Sequence, residues 1–339
     1  MPELEVSSGS FLSQIVALDL TIRPAKKSLA AGAAKSLAKL SKYKEGTSVF
    51  CNLCPRQCNA LRTDTVGEGY CRMPAAPVAA RAALHMWEEP PISGTRGSGT
   101  IFFSGCSLGC VFCQNEKISH QDFGRPVAVE RLREICLELV AQGAHNINFV
   151  NPTHYAHVVR QVLEELLPVP VVWNSGGYDR VETLGALEGR VSVYLPDFKY
   201  LDPETAGRYS AAPDYPQAAQ AAIREMVRQT GPCQFDENGL LLRGTVIRHL
   251  ILPGQVNQAK AVMDWVSEEF PRGTVLFSLM SQYTPWGDLS RTPELNRRLR
   301  RGEMESAIAY MQNLGLPGFC QERTSAREEY TPPFDLTGL

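Results

Sequence analysis

The stretch that decides the fold of this chain is Ser104-Gly105-Cys106-Ser107-Leu108-Gly109-Cys110-Val111-Phe112-Cys113-Gln114-Asn115. It carries three cysteines at CxxxCxxC spacing directly after Thr100-Ile101-Phe102-Phe103, a β-branched and aromatic run that predicts a strand. Four thiolates would fill a 4Fe-4S cluster, so three on one tight loop leave one iron without a protein ligand. An open position of this kind can take a small molecule. The other interpretations are half of a zinc site and a chance cluster of cysteines.

The composition favours one large α/β domain with a smaller module. The 339 residues are 44% hydrophobic, which is enough for a substantial core. The net charge of −2 gives no argument for binding nucleic acid or a membrane. The chain has no apolar run of the roughly eighteen residues that a transmembrane helix needs. Its first residues are acidic where a signal peptide would be basic, so we expect a cytoplasmic protein.

A second cysteine group precedes the three-cysteine loop. Cys51, Cys54, Cys58 and Cys71 stand on short stretches that contain glycine and proline. In a cytoplasmic chain such a group favours a metal over disulfides. Four thiolates match a closed tetrahedral zinc site, and they equally match a second, fully ligated 4Fe-4S cluster. Either centre would stabilise a small module that has little core of its own.

From residue 99 onward, predicted strands alternate with predicted helices. The strands are Thr100–Ser104, Asn146–Val150, Val169–Trp173, Val191–Pro196, Gly244–Leu252 and Thr274–Leu279. The helices are Val129–Gln142, Ala156–Leu167, Val181–Leu187, most of Asp202–Gln229, Gln258–Phe270 and the closing helix Pro293–Leu314. Repeated βα units predict a parallel sheet, and six of them suit an incomplete barrel. Ligands of such a barrel bind at the carboxyl ends of its strands.

Polar residues follow the second and third predicted strands. Asn151, Thr153 and His154 come after the second strand, where Asn151 and Thr153 offer polar atoms to a cofactor. His154 is a candidate proton donor or substrate contact; alternatively, Thr153 caps the next helix and His154 lies in its first turn. After the third strand, Asn174 and Ser175 are candidates for hydrogen bonds to a cofactor. The glycine pair that follows lets the backbone approach a ligand, unless it only makes a turn.

The later strand ends carry charge. Asp197 and Lys199 lie two residues apart and point the same way from a strand, either as a cofactor contact or as a structural pair. Arg248 stands in the otherwise apolar fifth strand, where its guanidinium can offer a two-pronged contact to a carboxylate. Tyr283, just beyond the sixth strand, is a candidate for substrate contact.

Taken together, the chain resembles the radical SAM activating enzymes related to pyruvate formate-lyase activating enzyme, in a branch with an N-terminal cysteine module. The resemblance spans roughly residues 50 to 320. It is carried by the three-cysteine loop with its aromatic Phe112, by Cys51-x-x-Cys54-Pro55-Arg56-x-Cys58, by Asn151-Pro152-Thr153-His154, by Asp197-Phe198-Lys199 and by Arg248-His249-Leu250-Ile251-Leu252-Pro253-Gly254.

The resemblance implies a fold, two cofactors and a reaction. The fold is an α/β partial (β/α)6 TIM-type barrel of the radical SAM kind with a small N-terminal metal-bound module. The cofactors are a 4Fe-4S cluster on Cys106, Cys110 and Cys113, and S-adenosylmethionine (SAM), which Lys199 and Arg248 help to hold. The cluster cleaves SAM reductively, and the resulting 5′-deoxyadenosyl radical abstracts hydrogen from a glycine of a partner glycyl radical enzyme. Flavodoxin or ferredoxin is the expected electron donor.

This sequence departs from the family at one motif. It lacks the Gly-Gly-Glu turn that commonly contacts the SAM amino group after the second strand. One alternative function is therefore radical SAM modification of a small molecule, a peptide or another protein. Another is an iron–sulfur or zinc protein without turnover. The predicted organisation is an N-terminal helical or flexible extension (1–48), a four-cysteine module (49–98), the partial barrel (99–285) and a C-terminal closing helix and tail (286–339).

Overall fold

A computed structural model of the chain describes residues 49–320 and 332–339. The predicted extension over residues 1–48 lies outside the described residues. A two-stranded antiparallel sheet, β1 (Val49–Cys51) with β2 (Ala60–Arg62), opens the described part. None of the described helices is both long enough and apolar enough to cross a membrane.

The main sheet has ten strands, and seven neighbouring strands of it run parallel. In sheet order the parallel strands are β4 (Ser98–Phe103), β6 (Ile147–Val150), β7 (Val171–Ser175), β8 (Val193–Pro196), β10 (Leu241–Leu250), β11 (Leu276–Met280) and β12 (Gly318–Cys320). The other three pair antiparallel: β3 (Val78–His85) with β4, β5 (Arg125–Pro126) with β3, and β9 (Gln234–Phe235) with β10. The six predicted parallel strands are all present, which confirms the partial-barrel fold.

Helices follow the parallel strands, and most of them cover one face of the sheet. They are α2 (Glu116–Ser119), α3 (Val129–Ala141), α4 (Ala156–Val162), α5 (Val181–Gly185), α6 (Pro203–Ser210), α7 (Tyr215–Thr230), α8 (Val256–Glu269) and α9 (Arg301–Leu314). Leu132, Ile135 and Leu139 of α3 recur at helical spacing and are almost completely buried against the sheet.

A short helix plugs the other, concave face of the sheet. α1 (Pro90–Ser93) follows β3 at the end where the parallel strands begin, because His85 pairs with Ser98 at the start of β4. Its Ile92 is fully buried among apolar side chains of β7, β8 and β10. The Asn146 side chain donates to the Ile92 carbonyl over 2.7 Å and fixes the plug to the sheet.

The structure differs from the sequence prediction at several boundaries. The closing helix begins at Arg301 rather than at residue 293, where only a 3₁₀ turn (Pro293–Leu295) forms. The helix predicted from residue 156 ends at Val162 rather than 167, and β12 was not predicted. β3 belongs to the main sheet although it precedes residue 99; the domain boundaries themselves stay predictions.

Candidate iron–sulfur and SAM site

The three-cysteine loop lies at the carboxyl end of β4, where the fold places ligands. Each thiol has a polar neighbour from a different part of the chain. The Cys106 sulfur is 3.7 Å from the Asn151 side-chain oxygen, and the Leu108 amide donates to that sulfur over 3.3 Å. The Cys110 and Cys113 sulfurs lie 2.9 and 3.2 Å from serine hydroxyls, those of Ser210 and Ser119 respectively.

The three thiols suit a soft metal centre better than free thiolate chemistry. Burial first, and the neighbouring thiols second, raise the pKa of Cys106 to about 12 and that of Cys113 to about 11. The Cys106 and Cys113 thiols would therefore stay protonated at neutral pH without a metal, whereas a bound metal deprotonates its thiol ligands outright. The all-sulfur donor set, drawn from one loop with a nearby cation in Lys199, fits a 4Fe-4S cluster.

The side chains of this site are not preassembled around a single ion. Across residues 49–320 and 332–339, no three histidine, cysteine or carboxylate side chains already stand in a geometry that would hold a metal ion. This applies to the three-cysteine loop and to the four-cysteine group alike.

Asp197 neutralises two cations at the ends of β8 and β10. Its carboxylate accepts from the Lys199 ammonium over 2.7 Å and from the Arg248 guanidinium over 2.9 Å. Burial opposes ionisation of Asp197, but Arg248 and Lys199 outweigh it and hold its pKa below the usual range. Lys199 also lies within electrostatic range of Cys110 and Cys113. The sequence-predicted cation pair and the three-cysteine loop therefore meet at one end of the barrel.

The other prongs of Arg248 are held by the protein as well. One guanidinium nitrogen donates to the Asn174 side-chain oxygen over 2.7 Å, and another lies 3.4 Å from the Glu88 carboxylate. Asn174 and Asn148 both donate to the opposite oxygen of Glu88, over 3.2 and 3.0 Å. Glu88, which precedes the plug helix, thus helps to fix the position of Arg248. A cofactor carboxylate that binds Arg248 has to compete with Asp197 and Glu88.

Residues at the ends of β6 and β7 converge on a buried aspartate. Thr153 and Ser175 donate to the Asp179 carboxylate over 2.7 and 2.5 Å, and the Trp173 indole donates to it over 3.3 Å. Burial raises the pKa of Asp179, although these three donors partly counter that effect. Thr153 and Ser175 therefore hold the strand ends together through Asp179, and their predicted role in cofactor binding stays a prediction.

Asn151 is the residue of this group that faces the cysteine loop directly. It adopts a left-handed backbone conformation with φ of 56°, which asparagine tolerates better than most residues. Its side-chain amide donates to the Gly105 carbonyl, while its side-chain oxygen faces Cys106. Asn151 thus connects the end of β6 to the first cysteine ligand.

The two candidate catalytic residues lie in packed surroundings. His154 is 1% exposed, and its Nε2 bonds the Ser104 carbonyl over 2.7 Å. Burial lowers the pKa of His154 to about 3, so its ring is neutral at physiological pH. Tyr283 is buried, donates its hydroxyl to the Leu295 carbonyl over 2.8 Å and packs against Phe112. These contacts support positioning roles for both residues; catalytic roles stay predictions.

The paired glycines after β7 let two strand ends approach each other. A Cβ on Gly177, which has φ of 76°, would lie 2.0 Å from the Asp197 carbonyl oxygen. A Cβ on Gly176 would lie 3.1 Å from Leu108 in the cysteine loop. The close approach in this structure is therefore to neighbouring backbone and to the cysteine loop, whereas the sequence pattern predicted an approach to a ligand.

The four-cysteine group packs onto the three-cysteine loop. Arg56, between Cys54 and Cys58, donates to the Ser107 carbonyl over 2.9 Å and stacks on the Tyr70 ring at 3.9 Å. Beneath the start of the loop, a Cβ on Gly105 would lie 2.1 Å from the Met73 side chain. The module therefore contacts the first part of the loop, at Gly105 and at Ser107.

Sequence reasoning missed several buried polar residues of this site. They are Arg62, Glu89 and Asp179, together with Glu88, whose side chain is 9% exposed. Asp179 had a usable signal, because it lies six residues after the end of a predicted parallel strand. Glu88 and Glu89 had none, since two glutamates before a Pro-Pro pair look the same in a sequence whether they are exposed or buried.

Known proteins match this chain in two ways. A family described as a 4Fe-4S single cluster domain matches residues 93–192, which include the three-cysteine loop and the ends of β6 and β7. Uncharacterized protein MJ0674 of Methanocaldococcus jannaschii is 30% identical over 281 residues, which cover 78% of this chain and 75% of the relative. Residues 93–192 are thus similar to a 4Fe-4S single cluster domain.

Two solved structures are similar to parts of this chain at low identity. SuiB of Streptococcus suis, bound to S-adenosylmethionine, is 15% identical with a TM-score of 0.45 over 66% of this chain, which spans 50% of the SuiB chain. A domain of pyruvate-formate lyase-activating enzyme from Bacteroides vulgatus is 14% identical with a TM-score of 0.33, covering 57% of this chain and 91% of that domain.

Proposed function

We propose that this chain, which belongs to the family of MJ0674 and to the radical SAM superfamily, abstracts hydrogen from a glycine of a partner glycyl radical enzyme. The chain is a radical SAM enzyme that uses a 4Fe-4S cluster and SAM. The identity of the hydrogen donor is the proposed step. The observation that supports it most is the Asp197–Lys199–Arg248 cluster beside the three-cysteine loop, a combination typical of activating enzymes.

The chemistry depends on three ligands and their surroundings. Cys106, Cys110 and Cys113 would hold a 4Fe-4S cluster, and that cluster would supply the electron for the reductive cleavage of SAM. Lys199 and Arg248 are the cations in this end of the barrel that can orient a carboxylate of SAM. Their present partner, Asp197, keeps both charged and in place until that carboxylate binds.

The proposal also covers the location of this enzyme and the proteins that it acts with. We infer a cytoplasmic enzyme that takes its electron from flavodoxin or ferredoxin and acts on a protein, with no nucleic acid and no membrane as partner. A second candidate is radical SAM modification of a small molecule, a peptide or another protein. It is supported by the Asn151-Pro152-Thr153 turn, which stands where the family commonly has Gly-Gly-Glu. We expect an enzyme with different contacts to SAM to act on a different substrate.

The first experiment tests the radical chemistry. Anaerobically reconstituted protein is mixed with dithionite and SAM, and 5′-deoxyadenosine is measured. We expect its formation to disappear in Cys106→Ala, because that cluster loses one of three protein ligands. Cys320→Ala, which changes an exposed thiol on β12, is the matched control and should keep wild-type activity. Full activity of Cys106→Ala would overturn the cluster assignment.

The second experiment tests the hydrogen donor. The enzyme, SAM and reductant are incubated with candidate glycyl radical enzymes, and the protein is examined by electron paramagnetic resonance. A glycyl radical signal that requires Cys106 supports the proposal. Deoxyadenosine accompanied by a modified small molecule or peptide, without a glycyl radical, would favour the second candidate.

A further inference from the structure

We propose that Cys51, Cys54, Cys58 and Cys71 bind a metal centre through four thiolates, and that Arg62 is its buried counter-charge and links it to the three-cysteine loop. The centre is either one zinc ion or a second 4Fe-4S cluster. Both are anionic when four thiolates bind them. This inference does not depend on which substrate the radical SAM site uses.

The first argument is the placement of the four cysteines. Cys51 ends β1, Cys54 and Cys58 lie on the turn that leads to β2, and Cys71 follows on the next turn. Cys51, Cys54 and Cys71 are buried, whereas Cys58 is exposed. A Cβ on Gly69, two residues before Cys71, would lie 3.1 Å from the Cys58 sulfur, so the turns that carry Cys58 and Cys71 meet.

The turns around these cysteines are tight. Residues Gln57, Asn59 and Arg72 adopt left-handed backbone conformations with φ between 41° and 57°, although none of them is glycine. Such conformations cost free energy and persist where the surroundings impose them. Since this part of the chain has little apolar core, a metal centre is the natural source of that constraint.

The second argument is Arg62, a buried cation that lacks a carboxylate partner. Arg62 is 1% exposed, and within the described part of the chain no aspartate or glutamate forms an ion pair with it. Its guanidinium donates to the His154 carbonyl over 2.6 Å, to the Pro74 carbonyl and to the Cys51 sulfur over 3.5 Å. A buried guanidinium needs a compensating negative charge. The thiolates of Cys51 and Cys71 are the groups in position to supply it.

The third argument is the path from Arg62 to the radical SAM loop. Arg62 holds the carbonyl of His154, and the His154 ring bonds the carbonyl of Ser104. Ser104 directly precedes the loop that carries Cys106. Arg56 contacts the same loop at Ser107 from the other side. The four-cysteine centre is therefore tied to the loop at two points, so its loss should loosen the cysteines of the radical SAM cluster.

The first test counts metal in a chain that cannot bind the radical SAM cluster. Cys106, Cys110 and Cys113 are all changed to alanine, and iron, sulfide and zinc are measured after anaerobic purification and again after incubation with zinc, or with iron and sulfide. We expect about one zinc or about four irons per chain, and the loss of that metal when Cys54→Ser is added. A folded protein that retains neither metal under either condition would overturn the proposal.

The second test concerns the counter-charge. Arg62→Met should release the metal to a chelator at least tenfold faster than the parent chain, whereas Arg62→Lys, which keeps the charge, should be intermediate. Arg131→Met is the control, because Arg131 belongs to α3 and pairs with Glu134 and Glu138 at the surface. Equal metal retention in Arg62→Met and the parent would overturn the role of Arg62.

The third test measures the link between the two sites. Hydrogen exchange of residues 104–115 in the full chain should become faster when Cys54→Ser or Arg62→Met removes the four-cysteine centre, and should be unchanged in Arg131→Met. Unchanged exchange in all three variants would refute the link. These readouts are metal content and exchange, so they are separate from failure of the proposed substrate.

Discussion

Among single residues, Asp197 controls how the two cations of the site are held. Its carboxylate takes both Lys199 and Arg248, and all three side chains are mostly buried. An ion pair in such surroundings contributes little net stability, but removing one partner leaves uncompensated charge and is costly. The same arrangement explains how Lys199 and Arg248 can remain charged beside the cysteine loop before a carboxylate ligand binds.

Asp197→Asn should therefore destabilise the protein by about 3 kcal/mol, because Lys199 and Arg248 would face each other without their carboxylate. The measurement is urea unfolding at pH 7.5. Asp335→Asn, which breaks the exposed pair with Arg81, is the control and should unfold almost like the wild type. Equal unfolding free energies of the two variants would show that the buried cluster contributes no more to stability than the exposed pair does.

The contribution of Asp197 also has a defined pH dependence. Because its folded-state pKa is held below the usual value, its stabilisation is present above about pH 4 and is lost as the pH falls through the lower folded-state value. The stability difference between wild type and Asp197→Asn should therefore shrink below about pH 4.

The residues that sequence reasoning could predict share one property: their chemistry shows in their spacing. Three cysteines on one loop, and an aspartate two residues before a lysine, are visible without a structure. Arg62 and Glu88 are not, because their role comes from burial beside partners distant in sequence. Glu88 contacts Arg248, which lies 160 residues away, and no local pattern announces that contact.

Among the elements, the turn after β7 brings the ends of two strands of the site into close contact. Its second glycine combines a left-handed backbone with contact to the end of β8. The strand types and order were predictable from alternating apolar runs, whereas helix ends were not. The predicted helix that starts at residue 293 begins at 301, where the Glu303 carboxylate accepts from the Arg300 amide over 2.8 Å and caps it.

Gly177→Ala should destabilise the protein far more than the backbone conformation alone requires, because the new methyl group would overlap the Asp197 carbonyl. Gly189→Ala is the matched control: its φ of 78° is nearly the same, but no atom lies within 4 Å of the added Cβ. The control should cost about 1 kcal/mol, and Gly177→Ala several times that. Thermal unfolding of both variants measures the difference, and equal shifts would contradict the steric argument.

For the whole molecule, three buried histidines make folding sensitive to acid. Burial lowers the pKa of His154 and His157 to about 3 and that of His249 to about 4, and each ring bonds a backbone carbonyl. The unfolded chain binds protons at these rings below about pH 6.5, while the folded chain does not. Stability is therefore full above that pH and falls as the pH decreases.

Each histidine should contribute about 1.4 kcal/mol per pH unit to this loss, or about 4 kcal/mol per unit for the three. His157→Gln should reduce the slope by about a third. The check is the unfolding free energy in urea at several pH values from 7.5 to 5, with wild type and variant compared at each pH. Parallel curves would show that His157 takes up a proton in the folded state.

At this scale the partial barrel was predictable, because six βα units imply it. The plug α1 and the edge strand β12 were not predictable, since four and three residues are too few to show a period. Their places are determined by the rest of the sheet, which offers an open concave face to one and an unpaired edge to the other.

The carboxyl-terminal residues have a consequence for the order of events during synthesis. Phe334 packs on Phe102 of β4, and its carbonyl accepts from Lys117 of α2, the helix that directly follows the three-cysteine loop. More than 200 residues separate Lys117 from Phe334 in the chain. A ribosome therefore completes the surroundings of the loop long after it has made the cysteines. We expect iron and sulfide to be inserted after Phe334 has been made and has packed on Phe102, rather than as soon as the cysteines have been made.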